Sequence, residues 1–204
     1  MEHVCLDLEG VLIPEIWAEV AKYTGEEQFK LTTQDLRDYS ELMDMRIDLV
    51  QSIGLSFLEI QSLVNKMEPF EGAREFIDWV RDNFQLTIVS DSFYELAWPL
   101  LRKLGTPSIN CHYLDIENNE LKGYTLRQLE NKKKVVQGLK DMKFKVFASG
   151  DSYNDIQMLQ EADLGVFFQA PKHIREEFKE IEGVESHEDL KNLLIENSSF
   201  IGRS

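Results

Sequence analysis

Three polar clusters in this sequence each follow directly on an apolar run. Asp7-Leu8-Glu9 follows Val4-Cys5-Leu6, Ser90-Asp91-Ser92 follows Leu86-Thr87-Ile88-Val89, and Gly150-Asp151-Ser152-Tyr153-Asn154-Asp155 follows Lys145-Val146-Phe147-Ala148-Ser149. In open α/β sheets, ligands bind outside the carboxyl ends of the strands. Clusters at three such ends therefore converge on one site. Alternation along an extended segment points Asp7 and Glu9 the same way. Converging carboxylates repel one another unless a cation sits among them. Magnesium suits such a place, because it takes hard oxygen ligands from one or two carboxylates, water and a substrate phosphate. A carboxylate can also act as nucleophile, forming an acyl phosphate that splits one hard transfer into two easier ones. Any single cluster reads equally well as a helix N-cap, with Asp151 or Ser152 capping the next helix. Three clusters at three strand ends favour the chemical reading.

Phosphoryl transfer concentrates negative charge, so a cation beside the metal is expected. Lys132, Lys133 and Lys134 are the candidates, and helical spacing separates them. Lys132 lies three, four and seven residues before Val135, Val136 and Leu139, on the apolar face. Lys133 aligns with Gln137 and Lys140, and Lys134 with Gly138 and Asp141, both solvated faces. Lys132 is the inward one; the competing reading is a surface tract with snorkelling stems.

Arg46 stands out between positions 14 and 69. Its helical neighbours are Leu42, Met43, Leu49 and Val50, while Glu41, Asp44 and Asp48 mark the charged face. An arginine on an apolar face is costly unless it meets an anion; the alternative is a packed stem whose head reaches solvent. Glu15 falls in the first turn of the first helix of this stretch. There it either complements the helix dipole or waits for a substrate ammonium. One arginine and one glutamate suit an amino acid, with Arg46 for the carboxylate and Glu15 for the amine.

The elements needed to position these groups follow from periodicity. Residues 4–8 form the pattern of a buried parallel strand. Pro14 suits the first position of a helix running to about Tyr23, and residues 14–69 read as wholly helical. Beyond Pro69-Phe70-Glu71-Gly72, helices and strands alternate: strands over 86–90, 109–116, 145–149 and 164–168, and helices around 73–80, 96–104 and 132–141. That alternation predicts an α/β fold with a doubly wound parallel sheet. Residues 1–13 and 70–204 form a discontinuous α/β catalytic core, and 14–69 a helical cap inserted after the first strand. No internal repeat is evident. The polar tail Asn197-Ser198-Ser199 is expected to fray.

Composition narrows the setting. The net charge is -15, with Asp+Glu 37 against Lys+Arg 22, which disfavours nucleic acid and anionic membrane as partners. The hydrophobic share of 43% over 204 residues is enough for one core plus a small appended module. Two cysteines, Cys5 and Cys111, are too few for a disulfide framework and suit the cytoplasm. No signal peptide or membrane-spanning run is visible. The four histidines have no zinc-type spacing.

Taken together, Asp7-Leu8-Glu9-Gly10-Val11, the strand end at Ser90, the lysine and Gly150-Asp151-Ser152-Tyr153-Asn154-Asp155 resemble the haloacid dehalogenase-like phosphatase superfamily, over essentially the whole chain and in the right order. The superfamily's cap lies between its first two motifs, where 14–69 lies here. The resemblance implies a Rossmann-like core and Mg2+ as cofactor. It makes Asp7 the nucleophile and a metal ligand. Residue 9, usually Asp and here Glu, gives a backbone carbonyl to the metal and a side chain for acid/base work. Ser90 hydrogen-bonds the phosphoryl group, Lys132 matches the lysine motif, Asp151 is a metal ligand and Asp155 orients the metal's shell.

Cys5 to Trp17, Ser90 to Glu95 and the Gly150 loop are similar to a bacterial subfamily of phosphoserine phosphatase/homoserine phosphotransferase enzymes, whose acid/base is also Glu. That likeness implies O-phosphoserine and homoserine as substrates, in serine and threonine biosynthesis. It makes Glu15, Arg46, Asp91 and Asn154 substrate contacts and leaves room for a homodimer. Plain phosphoserine phosphatases differ, with threonine where Val11 stands and glycine where Asp91 stands. The competing functions are a phosphatase for another small ester, a metal-free dehalogenase and a non-catalytic binding module. Asp151 and Asp155 speak against a metal-free site, and the intact set from Asp7 to Lys132 against a dead one.

Overall fold

The computed structural model describes residues 1–33, 35–36 and 38–201. β1 (Glu2–Leu6) is buried along its whole length, as expected of an apolar run with helices on both faces. Its side chains divide by alternation: Val4 and Leu6 enter one apolar cluster with Phe76, Ile77 and Val80, while Cys5 enters another with Val136, Leu139 and Met158. β1 pairs in parallel with β2 (Gln85–Phe93) on one side and β5 (Lys145–Gly150) on the other. With β3 (Ile109–Glu117), β4 (Glu120–Thr125), β6 (Leu164–Phe168) and β7 (Glu182–Val184), the sheet runs β4-β3-β2-β1-β5-β6-β7. Chain order reverses direction at β1, and the crevice for a ligand opens there.

The helices are α1 (Ile16–Thr24), α2 (Tyr39–Ser52), α3 (Phe57–Lys66), α4 (Ala73–Asn83), α5 (Tyr94–Lys103), α6 (Asn131–Asp141), α7 (Ile156–Glu161), α8 (Lys172–Glu177) and α9 (His187–Asn197). Their starts are locally encoded. Asp38 accepts from the backbone of Ser40 and Glu41 to begin α2, and Ser56 and Glu59 form a capping box on α3.

Several expectations need correction. α1 begins at Ile16 and not at Pro14, which moves Glu15 from the first turn to the N-cap position. Residues 14–69 are not wholly helical: between the end of α1 at Thr24 and the start of α2 at Tyr39, the described residues form only a single 3-10 turn at Glu27–Lys30. β2 extends to Phe93 with a register shift between Val89 and Phe93, so Ser90-Asp91-Ser92 sits within an irregular strand end. The sheet is not all parallel, since β4 returns antiparallel to β3. That hairpin turns on Asn118 and Asn119, at φ 50 and 67, where asparagine is tolerated in the left-handed region. The tail is anchored: Glu2 accepts from Ser198 Oγ at 2.7 Å and from the Ser199 backbone at 2.7 Å. Among the described residues, no single helix is long and apolar enough to cross a membrane.

Candidate active site

Asp7 is the first residue beyond β1. Its N–H donates to the Ser149 carbonyl at 2.9 Å, and its Oδ1 accepts from the Leu8 N–H at 2.8 Å. The carboxylate is thus fixed against the neighbouring strand end and buried. The chain then folds back through Gly10 (φ +78), whose N–H donates to Ile13 O. A Cβ on Gly10 would lie 2.4 Å from the Asp151 carboxyl carbon, and one on Gly150 would lie 2.2 Å from that of Asp155. Both acidic groups press against bare backbone, so these two positions require glycine.

Oxygens of Asp7, Asp151 and Asp155 lie within 4.8 Å of one another. Lys132, at the start of α6, answers them. Its Nζ is 2.7 Å from Asp155 Oδ1, 2.9 Å from Asp7 Oδ2 and 3.9 Å from Asp91 Oδ2. Lys132 is buried, as its helical spacing predicts, and Lys133 is not. Burial works against its charge, but Asp155, Asp7 and Asp91 outweigh it and hold the ammonium pKa well up. One lysine does not neutralise three carboxylates. Burial, then repulsion from Asp155 and Asp151, raises the Asp7 pKa well above the usual range against the pull of Lys132. Burial and Asp155 push Asp151 up to about 7. Such a cluster relieves itself either by taking up protons or by taking up a cation. An all-oxygen donor set fits a hard divalent ion such as magnesium. Asp155 is fully engaged: its Oδ2 accepts from the Asp151 and Ser152 N–H groups at 3.0 and 3.1 Å, and its Oδ1 from Lys132.

Above this cluster lies a cavity of about 130 Å³. Asp7, Glu9, Glu15, Arg46, Ser90, Asp91, Lys132, Asp151 and Asn154 all line it, and Asp155 sits beneath. Glu9 Oε2 accepts from the Ile16 N–H at 2.8 Å, so this carboxylate caps the first turn of α1 in place of Glu15. Glu15 is pushed up to about 9 by burial, then by the charge and hydrogen bond of Glu9, with Arg46 opposing. Arg46 is also buried and does not reach solvent. Its Nη2 donates to Leu31 O at 2.7 Å, and its guanidinium lies 5.0 Å from the Trp17 ring centre. Its Nε is buried without a partner, and among the described residues it forms no ion pair. Arginine donors thus remain uncommitted at one end of the cavity, while Lys132 and the acidic cluster hold the other. Ser90 is buried within the irregular end of β2, its Oγ accepting from the Ser92 N–H at 3.1 Å.

Sequence reasoning missed three residues around Asp91. Tyr39 donates its hydroxyl to the Asp91 carbonyl at 2.6 Å, Asn131 reaches Ser90 O at 3.4 Å, and His112 Nε2 lies 3.6 Å from Asp91 Oδ1. The available signal was weak: Asn110 and His112 are polar residues, two apart, in a strand that also carries Asp115 and Glu117. The Asp91 carboxylate itself accepts from Asn154 Nδ2 at 3.0 Å. With Tyr39, Lys132 and Asn154, it also borders a larger neighbouring groove of about 840 Å³.

A buried carboxylate beside a buried lysine and an acidic cluster, at the reversal point of a mostly parallel sheet, is the site of an α/β-class hydrolase. The chain belongs to the haloacid dehalogenase-like hydrolases, whose family model matches residues 1–163. It is 45% identical to the protein named phosphoserine phosphatase ThrH of Pseudomonas aeruginosa, over 98% of both chains. It is 43% identical to a phosphoserine phosphatase of Pseudomonas syringae pv. tomato, over 98% of this chain and 84% of that one. Among solved structures, a phosphoserine phosphatase from T. onnurineus shares the fold, with a TM-score of 0.73 and 24% identity over 95% of this chain and 94% of that one.

Proposed function

We propose that this chain is a magnesium-dependent phosphoserine phosphatase that works through an aspartyl phosphate on Asp7 and can pass the phosphoryl group to homoserine. The observation that carries the reading is the two-ended cavity, with Asp7 and Lys132 at one end and Arg46 and Glu15 at the other. The names of the two Pseudomonas relatives support the same substrate. In this reading, residues 14–69 act as a cap over the core formed by 1–13 and 70–204.

The Asp7 and Asp151 carboxylates and the Glu9 backbone carbonyl would hold magnesium, with Asp155 orienting them through its fixed hydrogen bonds. When bound, magnesium supplies charge neutralisation for the acidic cluster and the phosphoryl oxygens. Arg46 takes the substrate carboxylate and Glu15 its ammonium, which sets the phosphoryl group against Asp7. Ser90, Lys132 and Asn154 hold the phosphoryl oxygens. Asp7 attacks phosphorus, and the P–O bond to serine breaks as Glu9 protonates the departing oxygen. Water or the homoserine hydroxyl then attacks phosphorus, giving its proton to Glu9 and freeing Asp7. Water exclusion by the closed cavity favours a bound alcohol acceptor.

The decisive test is a phosphate-release screen over small phosphate esters, with and without homoserine. Phosphoserine should be preferred, and homoserine should divert phosphate into a new ester. Preference for an ester without an amino-acid moiety would overturn the substrate assignment.

A further inference from the structure

Lys132 holds its two close carboxylates at hydrogen-bond distance, but Asp91 stands off at 3.9 Å. What keeps Asp91 there is a chain of contacts reaching back into the sheet. The Arg127 N–H donates to His112 Nδ1 at 3.1 Å. With Nδ1 accepting, the neutral ring carries its proton on Nε2. That nitrogen faces Asp91 Oδ1 at 3.6 Å. The other Asp91 oxygen accepts from Asn154 at 3.0 Å. His112 is buried in β3, with its ring against Tyr39 and Phe93, so it has little freedom to turn. Tyr39 also fixes this strand end, through its hydroxyl bond to the Asp91 carbonyl. Burial alone would raise the Asp91 pKa, but Lys132, His112 and Asn154 reverse that and keep the group ionised.

We infer that His112 and Asp91 form a positioning pair, which aims the Lys132 ammonium and the Asn154 amide into the phosphoryl end of the cavity. His112 borders the outer groove and not the 130 Å³ cavity, so it acts through Asp91. Asp91 lines both spaces, and its Oδ2 lies 3.9 Å from the Lys132 Nζ that Asp7 and Asp155 hold more closely. Removing either partner frees Asn154 to rotate and lets Lys132 collapse fully onto Asp7 and Asp155. The inference rests on the phosphatase reading for its kinetic consequence, but the contact chain does not.

The test is a double-mutant cycle with His112→Phe, Asp91→Asn and the pair, assayed on phosphoserine with magnesium. A misplacement of about 1 Å caused by a substitution away from the chemistry can cost about 100-fold, so each single change should lower kcat by about ten- to hundredfold. If His112 acts only through Asp91, the double variant is no slower than Asp91→Asn alone. His112→Gln, which places an amide donor near the Nε2 position, should recover much of the loss; a merely space-filling role would instead be satisfied by Phe. Multiplicative losses in the double variant, or full activity in His112→Phe, overturn the pair. A readout independent of activity is the 15N spectrum of the His112 ring, expected to show an unprotonated Nδ1 and a protonated Nε2 whose resonance moves in Asp91→Asn. A ring protonated on Nδ1 refutes the pair whatever the kinetics. An inactive wild-type enzyme with the expected tautomer and shift refutes the phosphatase reading and leaves the pair standing.

Discussion

Arg46→Ala separates substrate recognition from chemistry. The guanidinium is buried, keeps one strong bond to Leu31 O, rests over Trp17 and leaves its Nε without a partner. A bound α-carboxylate would meet a desolvated cation with donors to spare. Truncating one side of such a pair costs about 2–5 kcal/mol, which is about 30-fold to a few thousandfold in kcat/KM. An ester without a carboxylate, such as nitrophenyl phosphate, never makes that contact and should lose about threefold or less. The substitution also removes the Trp17 contact, about 0.5–2 kcal/mol, and the Leu31 bond, about 1 kcal/mol. Melting curves should therefore shift down, and both substrates are to be assayed well below the variant's midpoint. Arg46→Lys keeps the charge but not the forked geometry and should fall between the two. Equal loss on both substrates would make Arg46 a packing residue and remove the amino-acid argument.

Glu9→Gln should slow turnover of phosphoserine by about 10²–10⁴-fold; with nitrophenyl phosphate, whose leaving group needs no proton, a burst followed by a slow steady rate is expected, and loss of both phases would assign Glu9 to shaping the site. Magnesium should raise the melting temperature relative to chelator, because it binds the folded acidic cluster and not the unfolded chain; calcium should support activity poorly, since it favours looser coordination, and undiminished turnover after exhaustive chelation would contradict the metal reading. His3, buried beside β2, has its pKa lowered to about 4 by desolvation. Between pH 6.5 and 4 the unfolded chain takes a proton there that the folded chain refuses, so stability falls as pH drops through that window. Urea titrations of His3→Gln should show a flatter pH dependence, and an unchanged slope would rule His3 out as the source.

The parts of this molecule read most directly from the sequence are those where local pattern and burial agree. β1, β5 and β6 are apolar runs buried on both faces, and the acidic clusters sit at two of their carboxyl ends. Lys132 was separable from Lys133 and Lys134 because helical period alone sorts faces. Other features arise from tertiary contacts that no spacing encodes. The β3–β4 hairpin escaped notice because its turn is Asn118-Asn119, without the glycine that usually marks such turns. β7 is three residues long and gains its place only by pairing with β6. The tail looked free because its partner, Glu2, lies at the opposite end of the chain. Likewise, the approach of His112 to Asp91 joins two strands through a register shift, and neither residue signals it alone.

In the proposed mechanism, the bond from the Ile16 N–H to Glu9 Oε2 would tie proton handling to the seating of α1. With the helix in place, the carboxylate lines the cavity and accepts from that N–H; were α1 to move away, it would lose that partner. Access and reactivity are then interlocked, as in a machine tool that runs only with its guard down. An acyl phosphate exposed by premature opening would face plenty of water but no aligned base, so the intermediate would outlive the breach and wait for the next acceptor to be enclosed.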